Sequence, residues 1–246
     1  MTETAFVIGT GPSLKKIDMK KLSQYDCITF NRAYIAYKDW GFVPKYYLAF
    51  DGNDIRAMYK DLNFIIDEYP KTKFFILDDE SQNSIHPLES FQDGDKKISL
   101  FDWSKPNLYR IKASSGYFSG HLSGKVMYLP IHIPNAGWQG VEVLHALGYD
   151  VIGFVGCDSR YRDDVESNKD ISFIGREYIS SADTDINHFR PDYFGKGMRF
   201  GAPNEQQILN IWNRGSKLIP EGVDMVSCTK DSAVNPWYNY TDFDKF

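Results

Sequence analysis

Short apolar runs recur along the chain, and four of them stop at the same relative place on glycine or a small polar residue. Residues 5–8 stop at Gly9, 27–30 at Asn31, 46–50 at Asp51, and 151–155 at Gly156-Cys157-Asp158. Runs this short and continuous read as strands buried on both faces. Residues 74–77, 126–129 and 223–227 read the same way. Helix signals lie between them: 14–16 behind Ser13 as a cap, 58–69 closed by Pro70, 141–147 closed by Gly148, and 205–212. Strands alternating with helices predict an α/β fold, a single Rossmann-like domain over 1–246 with a mostly parallel, doubly wound sheet. Residues 80–124 have weak periodicity and read as a lid or insertion. The polar stretch 159–203 reads as an active-site loop.

Ligands of open parallel sheets bind outside the carboxyl ends of the strands. Asn and Asp also start ordinary turns. The shared position of Gly9, Asn31, Asp51 and Asp158 nevertheless favours one common site. Gly9-Thr10-Gly11-Pro12-Ser13 lies between a strand and a helix start, where backbone amides can face an anion and glycine lets it approach. The third glycine of the dinucleotide fingerprint is missing, and so is the Gly-Lys-Ser/Thr of a Walker loop. The motif therefore points to a nucleotide-type ligand without selecting NAD or ATP. Asn135-Ala136-Gly137 precedes a helix in the same way, as a second set of amides or as an ordinary N-cap.

The segment 183–197 brings His188, Arg190, Tyr193 and Lys196 together with Asp183, Asp185 and Asp192. His188 is the acid–base candidate, because a neutral imidazole can take a proton near pH 7. It is expected to lie in an exposed, solvated loop. Arg190 and Lys196 carry the charge to neutralise a phosphate. Tyr161 and Arg160, just beyond the 151–155 run, would stabilise a leaving group.

With 33 acidic and 28 basic residues the net charge is -5, which attracts no polyanion, so nucleic acid is not an expected partner. Cys27, Cys157 and Cys228 are far apart and odd in number, as expected of reduced, buried cysteines in a cytoplasmic protein. No apolar run is long enough to span a bilayer. Peripheral membrane association and self-association stay open. Neither a His-x-x-x-His pair nor a CxxC is present, so no metal is expected.

The opening Gly9-Thr10-Gly11-Pro12-Ser13-Leu14-Lys15, with Ile17-Asp18, Asp26 and Asn31, resembles the start of the bacterial sialyltransferases of glycosyltransferase family 42. Asn135-Ala136-Gly137, then Ala146-Leu147-Gly148-Tyr149 and Gly156-Cys157-Asp158, resemble their second nucleotide-binding segment. The DUF115 proteins look equally similar; they include flagellin-modifying Maf glycosyltransferases and MptE-like pterin diphosphokinases. The resemblance implies an inverting, metal-independent glycosyltransferase with a CMP-sugar donor and a glycan or protein acceptor. The sugar would be sialic acid, a related nonulosonic acid or Kdo. Asn31 and the Gly9 loop would hold the CMP phosphate and ribose, and His188 lies where the family carries its base. Asp51 stands where those enzymes usually have Asn, Asn135-Ala136 where they have Thr-Ser, and Arg160-Tyr161 near their phosphate-binding tyrosines. Two alternatives are an MptE-like diphosphokinase using ATP and Mg²⁺, and a nucleotide-binding module without catalysis.

Overall fold

The computed structural model describes residues 3–78, 91–93, 96–98, 100–113, 121–129, 135–161, 167–172, 175–180, 184–201 and 204–246. The chain begins with β1 (Thr4–Ile8), α1 (Met19–Leu22), β2 (Asp26–Phe30), α2 (Tyr37–Trp40), β3 (Tyr46–Ala49), α3 (Gly52–Glu68) and β4 (Lys73–Leu77). An antiparallel pair follows, β5 (Phe91–Asp93) with β6 (Lys96–Ile98). Then come β7 (Leu108–Ala113), β8 (His121–Ser123), β9 (Val126–Leu129), α4 (Ala136–Ala146) and β10 (Val151–Val155). Three strands, β11 (Ser167–Ser172), β12 (Gly175–Ser180) and β13 (Arg199–Gly201), form a small antiparallel sheet. The chain closes with α5 (Glu205–Ser216), β14 (Asp224–Ser227) and β15 (Asn239–Tyr240).

Among the described residues, ten strands make one sheet in the order β15-β14-β10-β1-β2-β3-β4-β7-β9-β8. Every neighbouring pair is parallel except β8 with β9. The apolar runs are continuous because both faces of the sheet are covered. Ala5 and Val7 of β1 share a core with Trp138, Val141 and Leu144 of α4 and Trp212 of α5. Phe6 and Ile8 point the other way, into a core with Leu14 and Leu22. On that second face, farther along the sheet, Ile55, Met58, Leu62, Ile65 and Ile66 of α3 pack on Tyr47, Phe74 and Ile76. The fold is therefore a Rossmann-like α/β fold with a large, mostly parallel sheet. Among the described residues, no helix is long and apolar enough to cross a membrane. The three cysteines are buried and free.

Several elements differ from the sequence expectation. The stretch 159–203, read as one loop, carries the antiparallel strands β11, β12 and β13. α4 starts at Ala136 rather than at 141, directly behind its Asn135 cap. α3 starts at Gly52 rather than at 58, because Asp51 caps it: its carboxylate accepts the Asp54 amide at 3.3 Å and its carbonyl accepts the Ile55 amide at 2.9 Å. Within 80–124, β7 lies inside the main sheet between β4 and β9. Its charged residues mask a strand pattern. Arg110 pairs with buried Asp78 at 2.9 Å and lies over the Trp103 ring at 4.6 Å, so tertiary partners make its place in the sheet tolerable. Residues 80–90, 94–95, 99 and 114–120 of that span are outside the described set.

From β1 the chain runs outward through β2, β3 and β4, and after α4 it returns to lay β10 on the opposite side of β1. The strand order reverses between β1 and β10, and such a reversal opens a crevice at the carboxyl ends.

Candidate functional site

The Gly9-Thr10-Gly11-Pro12-Ser13 loop follows β1 into this crevice. The Gly9 amide donates to the Val155 carbonyl and the Gly11 amide to that of Gly156, both at 2.8 Å, continuing the ladder past the strand ends. The two amides expected to face an anion are thus engaged within the fold. The glycines serve close approach. A Cβ on Gly9 would stand 2.4 Å from the Gly156 oxygen, and one on Gly11 would stand 2.0 Å from a carboxylate oxygen of Asp158. Ser13 donates its hydroxyl to that Asp158 oxygen at 2.7 Å and its amide to it at 3.3 Å. Pro12 opens a 3-10 turn over Pro12–Lys16. Asp158 therefore fastens the β10 loop to the β1 loop. Cys157 beneath it has its thiol pushed up by burial, then by Asp158, which suits a packing residue.

The ends of β2, β3 and the α4 start surround this joint. Asn31 takes a left-handed conformation, φ 50°, and its carbonyl accepts the Tyr47 hydroxyl at 2.6 Å. Ser159, after β10, is left-handed too, at φ 52°. Such backbone is uncommon for residues with a side chain and gathers at functional sites. Asp51 caps α3 as described. Asn135 caps α4, its side chain accepting the Trp138 amide at 2.9 Å, with Ala136 and Gly137 in the first turn. A Cβ on Gly137 would sit 3.0 Å from the Trp212 ring, so this glycine admits α5. Asn135→Ala should cost about 1 kcal/mol. For a chain of this size that is a fall of roughly 2–4 °C in Tm, read by circular dichroism. An unchanged Tm would show that the cap contributes nothing.

His188 is not in a solvated loop: only 8% of it is exposed. The correction has a physical cause. One oxygen of Asp185 accepts the amides of Asn187 and His188 at 2.8 and 3.1 Å, and the other faces His188 Nδ1 at 2.8 Å. The imidazole lies flat on the Tyr193 ring, centroids 4.1 Å apart and planes within 7°, with Phe194 edge-on at 5.0 Å and Tyr161 at 6.3 Å. An ionised carboxylate only accepts hydrogen bonds, so the nitrogen facing Asp185, Nδ1, is the one that carries a hydrogen; in a neutral imidazole so oriented Nε2 is the acceptor. The loop is joined to the glycine turn through Thr10, whose carbonyl accepts the Phe189 amide at 2.9 Å and whose side chain bonds Tyr193.

Arg190, expected to meet a phosphate, is engaged elsewhere. Its guanidinium reaches both oxygens of Asp192 at 2.8 and 2.9 Å, the Ile35 carbonyl at 3.0 Å, and Asp39. It ties the loop to the segment leading from β2 to α2. Lys196 and Arg160 are exposed. Tyr161 is partly buried, and its amide bonds the Glu205 carboxylate. Burial, then Asp185, Glu205 and Asp54, push its phenol up to about 12, so it remains a hydrogen donor at neutral pH.

Two residues of the site escape the sequence reading. Arg32, next to Asn31, gives its amide to the Tyr193 hydroxyl at 3.3 Å, and its Nε is buried without a hydrogen-bond partner among the described residues. Asp54, in the first turn of α3, is pushed up to about 7 by burial and then by Asp51. Its charge acts on Tyr47, Tyr161 and Tyr193. Its spacing of three from the strand-end Asp51 was a usable signal, hidden by the later helix start expected there. Among the described residues, no group of three or more His, Cys, Asp or Glu could hold a metal ion. The arrangement offers an oriented base, protonated phenols and a carboxyl of near-neutral pKa around one crevice.

No family model matches the chain. No curated protein matches it either. Among solved structures, a Maf glycosyltransferase from Magnetospirillum magneticum AMB-1 is similar over 100% of this chain, with a TM-score of 0.57 and 11% identity. This chain covers 34% of the length of that one. At such low identity the likeness is one of fold.

Proposed function

We propose that the protein is an inverting glycosyltransferase that takes a CMP-activated sugar and works without a metal ion. The observation that carries this reading is the Asp185–His188 pair, buried yet joined through Thr10 to the loop at the strand-order reversal. The acceptor hydroxyl gives its proton to His188 Nε2 as its oxygen bonds the anomeric carbon. The carbon–oxygen bond to the CMP phosphate breaks on the opposite face, and its electron pair stays with the phosphate. Tyr161 donates a hydrogen bond to the developing charge, with Arg160 adding a positive charge. The fold shared with a Maf glycosyltransferase supports a transferase. Its acceptor would be a glycan or a protein.

CMP should therefore stabilise the protein in the presence of EDTA. At 100 times its Kd a ligand adds about 2.7 kcal/mol, which for this size is roughly 5–10 °C of Tm. A thermal melt with CMP, CTP, ATP and ATP–Mg²⁺ in separate wells measures it. A shift with ATP–Mg²⁺ and none with CMP overturns the reading in favour of a diphosphokinase.

A further inference from the structure

We propose that Tyr193 is the positioning residue of His188: its ring sets the plane of the imidazole, so that Nε2 is held in one direction for proton transfer. This rests on the glycosyltransferase reading and adds to it the part that aims the base. A histidine ring turns about its last bond in a broad well, so a hydrogen bond at one nitrogen does not fix its plane. Asp185 holds Nδ1 at 2.8 Å, and that contact alone leaves the imidazole able to tilt. The Tyr193 ring removes the tilt. It lies face to face with the imidazole, parallel to within 7°, with centroids 4.1 Å apart. Phe194 stands edge-on to both rings, 5.0 Å from the imidazole and 4.9 Å from the phenol, and braces the pair.

A platform can orient a ring only if it is itself fixed. Tyr193 is 2% exposed. Its hydroxyl oxygen accepts the Arg32 amide at 3.3 Å. That amide lies at the start of a 3-10 turn over Asn31–Ala36, where the first amides have no partner within the turn. Phe189 meets the phenol edge-on at 5.8 Å and is backed by Trp40 at 5.6 Å. The Phe189 amide is held by the Thr10 carbonyl at 2.9 Å. The platform is thus pinned to the segments that follow β1 and β2, which line the crevice, as well as to the loop that carries the histidine. The direction of Nε2 is thereby referred to the glycine turn and to Asn31, where the donor is placed.

The test uses the whole protein labelled with ¹⁵N-histidine, in alkaline buffer where an imidazole is neutral. Its ring nitrogen resonances report which nitrogen carries the hydrogen. Transfer from CMP-sialic acid and the Kd for CMP are measured on the same samples. Wild type and Tyr193→Phe should show His188 as one tautomer, with hydrogen on Nδ1 and ring protons moved upfield by the facing ring. Tyr193→Leu should show both tautomers. Its kcat per folded molecule should fall about 10–100-fold, the scale of a misplaced reacting group. Its Kd for CMP and acceptor KM should stay within about twofold, and Tyr193→Phe should keep kcat within about threefold. An unchanged kcat or an unchanged His188 tautomer in Tyr193→Leu overturns the proposal. A Phe variant as slow as the Leu variant assigns the effect to the hydroxyl and also overturns it. If Tyr193→Leu fails to fold, wild type decides: His188 as a mixture of tautomers removes the proposal. Wild type that binds no CMP and transfers nothing removes the glycosyltransferase reading instead, and the imidazole spectra still show whether Tyr193 orients the ring.

Discussion

His188→Asn is expected to lower sugar transfer by about 10²–10⁴-fold, the usual loss when a general base is removed. Asparagine is chosen because its amide nitrogen falls where Nδ1 was and can still donate to Asp185, while nothing replaces the lone pair of Nε2. His188→Ala would confuse the result. The ring is buried against Tyr193, and its loss leaves one Asp185 oxygen without its partner, which costs roughly 1–3 kcal/mol on its own. Initial rates per folded molecule, with Kd for CMP and Tm on the same preparation, are the measurements. CMP affinity should hold, since the role proposed for the histidine is toward the acceptor and not the donor. Retained turnover would remove His188 from the mechanism and leave it a packing residue.

Gly9→Ala should give the largest loss of stability among the glycine changes at the strand ends. The new methyl group would stand 2.4 Å from the Gly156 oxygen and 2.6 Å from its carbon. Both obstacles are backbone, so no rotamer change relieves them, and β1 must move away from β10. Overpacking costs 1–3 kcal/mol or more, and this site belongs at the upper end. Roughly 5–10 °C should be lost from Tm. Gly195→Ala is the control: its Cβ would meet nothing within 4 Å, and Tm should stay within about 2 °C. Equal melting temperatures for the two variants would show that the β1–β10 joint yields freely.

The strands of the sheet interior were legible because a doubly covered strand leaves no polar face to interrupt its run, as 5–8 and 151–155 show. β7 was not, since Arg110 rests on Asp78 and Trp103, partners far away in sequence. The loop after β1 was found, yet the neighbour that requires its glycines belongs to β10, beyond local pattern reading. His188 was chosen on residue type and on its place in a late polar loop. Its burial depends on Tyr193 and Phe194, whose rings look like ordinary loop aromatics until the loop folds back on Thr10. Asp54 lay in a polar first turn with no apolar period to announce a helix.

The Arg190 clamp on Ile35 and Asp39, together with the Thr10 contacts, bears on how this protein can change. Long polar loops are commonly exchanged between relatives as independent modules. The one carrying His188 is fastened at two distant points, so a graft of residues 184–197 alone would arrive without its anchors. Variation in the His188 loop must be matched by variation at 35–39 and at position 10. Laboratory recombination that cuts the chain between β3 and α4 would keep residues 10, 35 and 39 together but separate them from the loop they hold.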